Sequence, residues 1–130
     1  MSTVTTDEGT GLSISAAAEA LGVTAHTLRY YERAGLMLTP VDRAHSSHRR
    51  YREADLRWVT LLTKLRATGM PIRDIRAYAE LVRFGEGNEA GRLALLEAHR
   101  EAVLTQLAEV RRSLEAIDTK IAVYREKTHA

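Results

Sequence analysis

Thr24-Ala25-His26-Thr27-Leu28-Arg29-Tyr30-Tyr31-Glu32-Arg33-Ala34-Gly35-Leu36 carries the signals of a complete short helix. Thr24 suits the N-cap, because a threonine hydroxyl accepts a backbone amide left free in the first turn. Gly35, tolerant of positive φ, stops the helix after Ala34. At about 3.6 residues per turn, Leu28 and Tyr31 share one face, while His26, Arg29, Tyr30 and Arg33 share the other. Imidazole, guanidinium and phenol on one outward face offer forked donors to guanine and hydroxyl donors to phosphate. That is the chemistry of a major-groove reader. The apolar pair needs cover, and the residues just upstream offer it.

There, Leu12-Ser13-Ile14 alternates like a very short strand, Ser15 has N-cap chemistry, and Ala16 to Leu21 reads as a short helix ended by Gly22. Ala18, Gly22 and Leu28 stand where a helix-turn-helix needs a small residue, a positive-φ residue and an apolar residue. Alone this triplet is weak, since many helical hairpins satisfy it. Downstream, Leu36 to Arg50 has no helical period, contains Pro40 and His45-Ser46-Ser47-His48, and reads as a hairpin or loop. A third helix is expected from Glu53 to Thr68, with Leu56, Val59, Leu62 and Leu65 on one face and Gly69 ending it. Pro71 suits the first position of a fourth helix striped by Ile72, Ile75, Tyr78, Ala79 and Val82. Gly85-Glu86-Gly87-Asn88 reads as a linker.

The last third differs in kind. Leu93, Leu96, Val103, Leu107, Val110, Leu114, Ile117, Ile121 and Tyr124 follow alternating three- and four-residue steps, interrupted only by Arg100. A period of about 3.5 residues sustained this long is the signature of a coiled coil. Such a helix exposes more apolar stripe than the rest of the chain can cover, so a homodimer is expected. Leucine at the first seam position and β-branched residues at the second disfavour a parallel pair, leaving an antiparallel one. Packing of the helix back onto its own domain is the competing reading. Arg100 either sets register or snorkels to solvent.

With 130 residues, 45% of them apolar and 28% charged, the composition is that of a folded domain with an appendage. The chain has no cysteine, which excludes disulfides, thiolate metal sites and cysteine nucleophiles. The first ten residues lack a signal-peptide pattern and no run approaches a membrane span, so a cytoplasmic protein with no membrane partner is expected. Net charge is +2, but residues 12–84 alone carry +5, with eleven arginines among their twelve cations. Arginine is the side chain best suited to forked contacts with phosphate and guanine. No paired carboxylates in a pocket-forming context and no glycine-rich phosphate loop support an enzyme.

The wider string resembles the MerR family of bacterial transcriptional regulators. Thr27-Leu28-Arg29-Tyr30-Tyr31-Glu32 is its most specific part, and the likeness continues through Pro40-Val41-Asp42-Arg43, Arg49-Arg50-Tyr51, Asp55-Leu56 and Leu65-Arg66-Ala67-Thr68-Gly69-Met70-Pro71-Ile72. The resemblance implies a mainly α protein: a winged helix-turn-helix, two further helices, and a long helix forming an antiparallel coiled coil across a dimer. It implies binding to pseudo-palindromic promoter sites and control of transcription by distorting the promoter spacer, with RNA polymerase an indirect partner at the promoter. By position it puts Arg29 and Tyr30 on recognition-helix contacts, Thr24 on a phosphate contact, and Arg43 and Arg49 on wing residues gripping the backbone. Where the family writes Gly-Tyr-Arg in the wing, this chain has Ser47-His48-Arg49, so both the glycine and the tyrosine hydroxyl are replaced. The candidate DNA-binding set is therefore Thr24, His26, Thr27, Arg29, Tyr30, Arg33, Arg43, His48, Arg49 and Lys64, with Arg66 beside the last.

The expected layout is a disordered tail over 1–11, a DNA-binding domain over 12–84, a linker over 85–89, a dimerisation helix over 90–125 and a tail over 126–130. His45 and His48 could share a metal ion, but in a loop without a third ligand they read better as a wing tip. No metal or cofactor is expected. Trp58 reads as core or interdomain packing before a ligand pocket. A short-chain aldehyde-responsive branch of the family looks similar in layout, but its cysteine trigger has no counterpart here, and any small-molecule effector stays unidentified. A coiled-coil adaptor, or an architectural DNA-binding protein without a ligand, is the alternative function. The adaptor leaves the polar helix face unexplained.

Overall fold

In the computed structural model, which describes residues 11–38, 42–43 and 49–129, the first helix α1 spans Ile14–Leu21. Ser13, not Ser15, is its N-cap, accepting the Ala16 amide at 3.1 Å. The expected strand over Leu12-Ser13-Ile14 shrinks to one antiparallel bridge in which Leu12 and Tyr51 exchange both backbone bonds at 2.7 Å. That bridge fixes Leu12 in extended conformation and frees Ile14 to open the helix. Gly22 closes α1 in the left-handed region at φ 72°, its amide returning to Ala18 and Glu19 carbonyls.

Helix α2 (Ala25–Arg33) follows, with Thr24 as N-cap, Ala34 as C-cap and Gly35 at φ 75°. The hairpin is present as β1 (Asp42–Arg43) paired antiparallel with β2 (Arg49–Arg50), Asp42 facing Arg50 and Arg43 facing Arg49. Helix α3 (Glu53–Ala67) opens with Asp55 accepting the Arg52 amide at 2.9 Å. In α4 (Ile72–Phe84) the proline stands one place before the first helical residue, at the N-cap.

The core lies among these elements. Leu28, Leu36, Tyr51, Val59, Leu62 and Ile75 are fully enclosed, each such apolar side chain being worth about 1.5–3 kcal/mol on burial. Trp58 is core too, stacked on Tyr78 with ring centroids 5.8 Å apart and planes within 8°. The stretch after α4 is stitched: Asn88 donates to Leu81 O at 2.8 Å, and Arg92 donates to Asn88 Oδ1 at 2.8 Å and to Gly85 O.

The chain divides into two compact units, residues 1–92 and 93–130. Helix α5 (Glu89–His129) is 41 residues long, about 60 Å at a rise of about 1.5 Å per residue. It begins inside the expected linker and continues through residues 126–129 rather than ending at Arg125. Leu93, Leu107, Val110, Leu114, Ile117 and Ile121 are exposed along it, and Leu96 and Val103 are half-buried. Among the described residues no helix is long and apolar enough to cross a membrane.

Candidate nucleic-acid interface

Helix α2 displays two chemically opposed faces. Leu28 and Tyr31 are buried, whereas His26, Arg29 and Arg33 are exposed and Tyr30 keeps 37% of its surface. Tyr30 leans on Tyr31 at 6.1 Å between centroids with planes tilted by 52°. No described residue forms an ion pair or side-chain hydrogen bond with Arg29 or Arg33. Their guanidinium donors are available to an incoming acceptor.

The helix N-terminus is self-contained. Thr24 Oγ1 accepts the Thr27 amide at 3.0 Å, and the two hydroxyls share a hydrogen bond at 2.9 Å. Both threonines are thereby placed at the opening of α2, next to its free amides and the positive end of its dipole. Lys64 stands exposed in the last turn of α3, with Arg66 also exposed. For Arg43 and Arg49 the structure gives the backbone: they are cross-strand partners in the hairpin, so their Cα positions are brought together. His48, with His45 and the rest of 44–48, lies outside the described residues.

Other side chains hold this region from behind. Tyr51 donates its hydroxyl to Glu32 Oε2 at 2.6 Å, tying the end of the hairpin to the third turn of α2. Trp58 Nε1 donates to Leu36 O at 2.7 Å. Arg76 donates through Nε and Nη2 to Ala34 O at 3.1 and 2.9 Å, and Arg83 Nη1 donates to Met37 O at 2.6 Å and Gly35 O at 3.4 Å. The sequence reading does not include Arg76 or Arg83 in the site. Their seven-residue spacing puts them on one side of α4, but nothing in the spacing names backbone carbonyls as the target. Among the described residues no group of three or more His, Asp or Glu side chains could hold a metal ion.

The family model described as MerR HTH family regulatory protein matches residues 12–81. An uncharacterized HTH-type transcriptional regulator of Haemophilus influenzae is 40% identical over 108 residues, covering 83% of this chain and 79% of that protein. Among solved structures, HiNmlR, a MerR family regulator lacking the sensor domain and bound to promoter DNA, superposes with a TM-score of 0.78 at 38% identity, over 88% of this chain and 90% of that one. A Listeria monocytogenes protein assigned to the MerR transcriptional regulators gives 0.82 at 35% identity, over 88% and 86%.

Proposed function

The chain belongs to the MerR family of helix-turn-helix transcriptional regulators, and from that premise we propose that it binds a pseudo-palindromic promoter site as a homodimer, through α2 and the hairpin of each protomer. One observation carries the reading: the exposed face of His26, Arg29, Tyr30 and Arg33 on a helix whose other face is buried. In a major groove, Arg29 is the forked donor for a guanine edge and Tyr30 a hydroxyl donor to phosphate. Thr24, Thr27, Arg43, His48, Arg49 and Lys64 supply backbone contacts around it. These fix register, while the recognition face reads sequence.

The exposed seam of α5 supports a second copy of this chain as the partner, laid antiparallel. Two heads on one spacer then require half-sites at a fixed separation, and a promoter whose half-sites do not match that separation must bend or untwist to be bound. In this way the dimer controls transcription by distorting the spacer, with RNA polymerase engaged through the reshaped promoter, in the cytoplasm. HiNmlR, a MerR family regulator lacking the sensor domain and bound to promoter DNA, supports promoter DNA as the partner of a chain with this fold.

The test is selection of bound duplexes from a random-sequence pool, followed by footprinting of the winners. Two inverted half-sites protected by one dimer are expected. Salt-sensitive binding with no enriched sequence would instead support the architectural alternative.

A further inference from the structure

We propose that Arg76, Arg83 and Trp58 are positioning residues for DNA reading: they grip the exit of α2 by its backbone carbonyls and set the pose of the reading helix without touching DNA. The inference rests on the DNA-binding role of α2 argued above. Ala34, Gly35, Leu36 and Met37 are consecutive, and each carbonyl accepts a side-chain donor from another helix: Arg76, Arg83, Trp58 and Arg83 again.

Helix α2 is nine residues long. Isolated helices shorter than about 12–15 residues are marginal in water, so its geometry has to come from outside. One face must stay free for a ligand, which leaves the buried face and the two ends to hold it. Thr24 secures the first end locally. At the other, carbonyls left without intrahelical donors carry the negative end of the dipole, where a guanidinium is favourable. Arg76 meets Ala34 O with two donors, 3.1 and 2.9 Å away, a forked contact that fixes direction as well as distance. Trp58 belongs to α3, and both arginines to α4. Charge counting would assign both arginines to the field that attracts phosphate; their hydrogen bonds instead commit them to the protein's own backbone.

The experiment compares wild type with Arg76→Lys, Arg83→Lys and Trp58→Phe. Each is titrated with a duplex selected by the wild-type protein from a random pool, and with a scrambled duplex of equal composition, over a range of salt. The lysine variants keep the charge and lose the geometry. Expected are a retained cooperative melt, a roughly tenfold weaker affinity for the selected duplex per lost charge-assisted bond, and unchanged scrambled-duplex affinity and salt slope. In the lysine variants the emission of Trp58, the chain's one tryptophan, is expected to shift as the grip on the exit loosens. A salt slope flatter by about one unit would make the arginine a phosphate contact and overturn the proposal. So would an unchanged ratio of selected to scrambled affinity, or loss of the cooperative melt, which would make these folding residues only. Wild type selecting no sequence would be a different failure, that of the DNA-reading role itself.

Discussion

Replacing Leu107 and Leu114 together by Asp tests the dimer where the seam is most regular. In the single chain these leucines keep 42% and 53% of their surface, so a second helix has about half of each left to cover. Full burial of a leucine is worth about 2 kcal/mol, so covering the exposed half contributes about 1 kcal/mol at each site. A two-fold pair meets each substitution twice, so four sites lose about 4 kcal/mol of apolar contact. Each carboxylate must also be desolvated or the seam opened around it, at a cost of at least about 1–2 kcal/mol per site. The sum, about 8–12 kcal/mol, weakens association by more than about five decades and takes a nanomolar dimer beyond roughly 100 μM. Size-exclusion chromatography with light scattering at micromolar protein should therefore read monomer mass. Thr105→Asp with Arg112→Asp, opposite the seam on the same helix, should leave dimer mass and so separate seam burial from helix propensity. A double seam variant that still runs as a dimer refutes the coiled-coil assignment. One that runs as a monomer should also lose DNA affinity, because two tethered heads bind as one bivalent ligand.

Arg29→Ala should cost about 1–3 kcal/mol per half-site and relax preference at one base position in a repeated binding-site selection, with Arg29→Lys restoring affinity but not the discrimination. Tyr30→Phe should weaken binding while leaving the selected sequence intact, as loss of a phosphate-type hydroxyl does. Arg43→Ala or Arg49→Ala should flatten the salt dependence of binding and weaken all duplexes alike, and a sequence-dependent loss would mean that the hairpin reads bases. Tyr51→Phe deletes the 2.6 Å bond to Glu32. Because Glu32 is only half-buried and can rehydrate, the loss in a denaturant titration should be about 1–2 kcal/mol, at the lower end for a charged acceptor.

What could be read in the sequence was local physics. Thr24, Gly22 and the opposed faces of α2 follow from hydrogen bonds and periodicity within a few residues, and the structure has all three. Ser13 and Ser15 offer the same cap chemistry, and the choice between them depends on Tyr51, which pairs with Leu12 from far along the chain. Helix α5 runs past residue 125, where the expected dimerisation segment ends, for another reason. The apolar period stops at Tyr124, but a period marks where a helix is to be covered, not where it ends. Arg125, Glu126 and Lys127 are good helix formers with no breaker among them, and the helix runs on. Two-residue strands at 42–43 and 49–50 are too short to show alternation, so the hairpin could be expected only from what surrounds it. The carbonyl contacts of Arg76 and Arg83 had no sequence signature at all, since every residue carries a carbonyl.

The division of labour along α2 follows from these contacts. A groove-reading side chain has to be free of intramolecular partners, as Arg29 and Arg33 are among the described residues. Yet base discrimination depends on placing such a chain to within a fraction of the length of a hydrogen bond, and a free side chain cannot place itself. On the proposed reading, placement is delegated: the backbone that carries His26, Arg29, Tyr30 and Arg33 is held at its entry by Thr24, at its buried face by Leu28 and Tyr31, at Glu32 by Tyr51, and at its exit by α3 and α4. These holds act on the backbone, on the buried side or on the Glu32 carboxylate, so none occupies a guanidinium donor of Arg29 or Arg33. Substitution of the base-reading Arg29 is thus expected to change which sequence is bound, whereas loss of a phosphate-type donor such as the Tyr30 hydroxyl only weakens binding. Substitutions behind the reading face are expected to change how sharply any sequence is preferred.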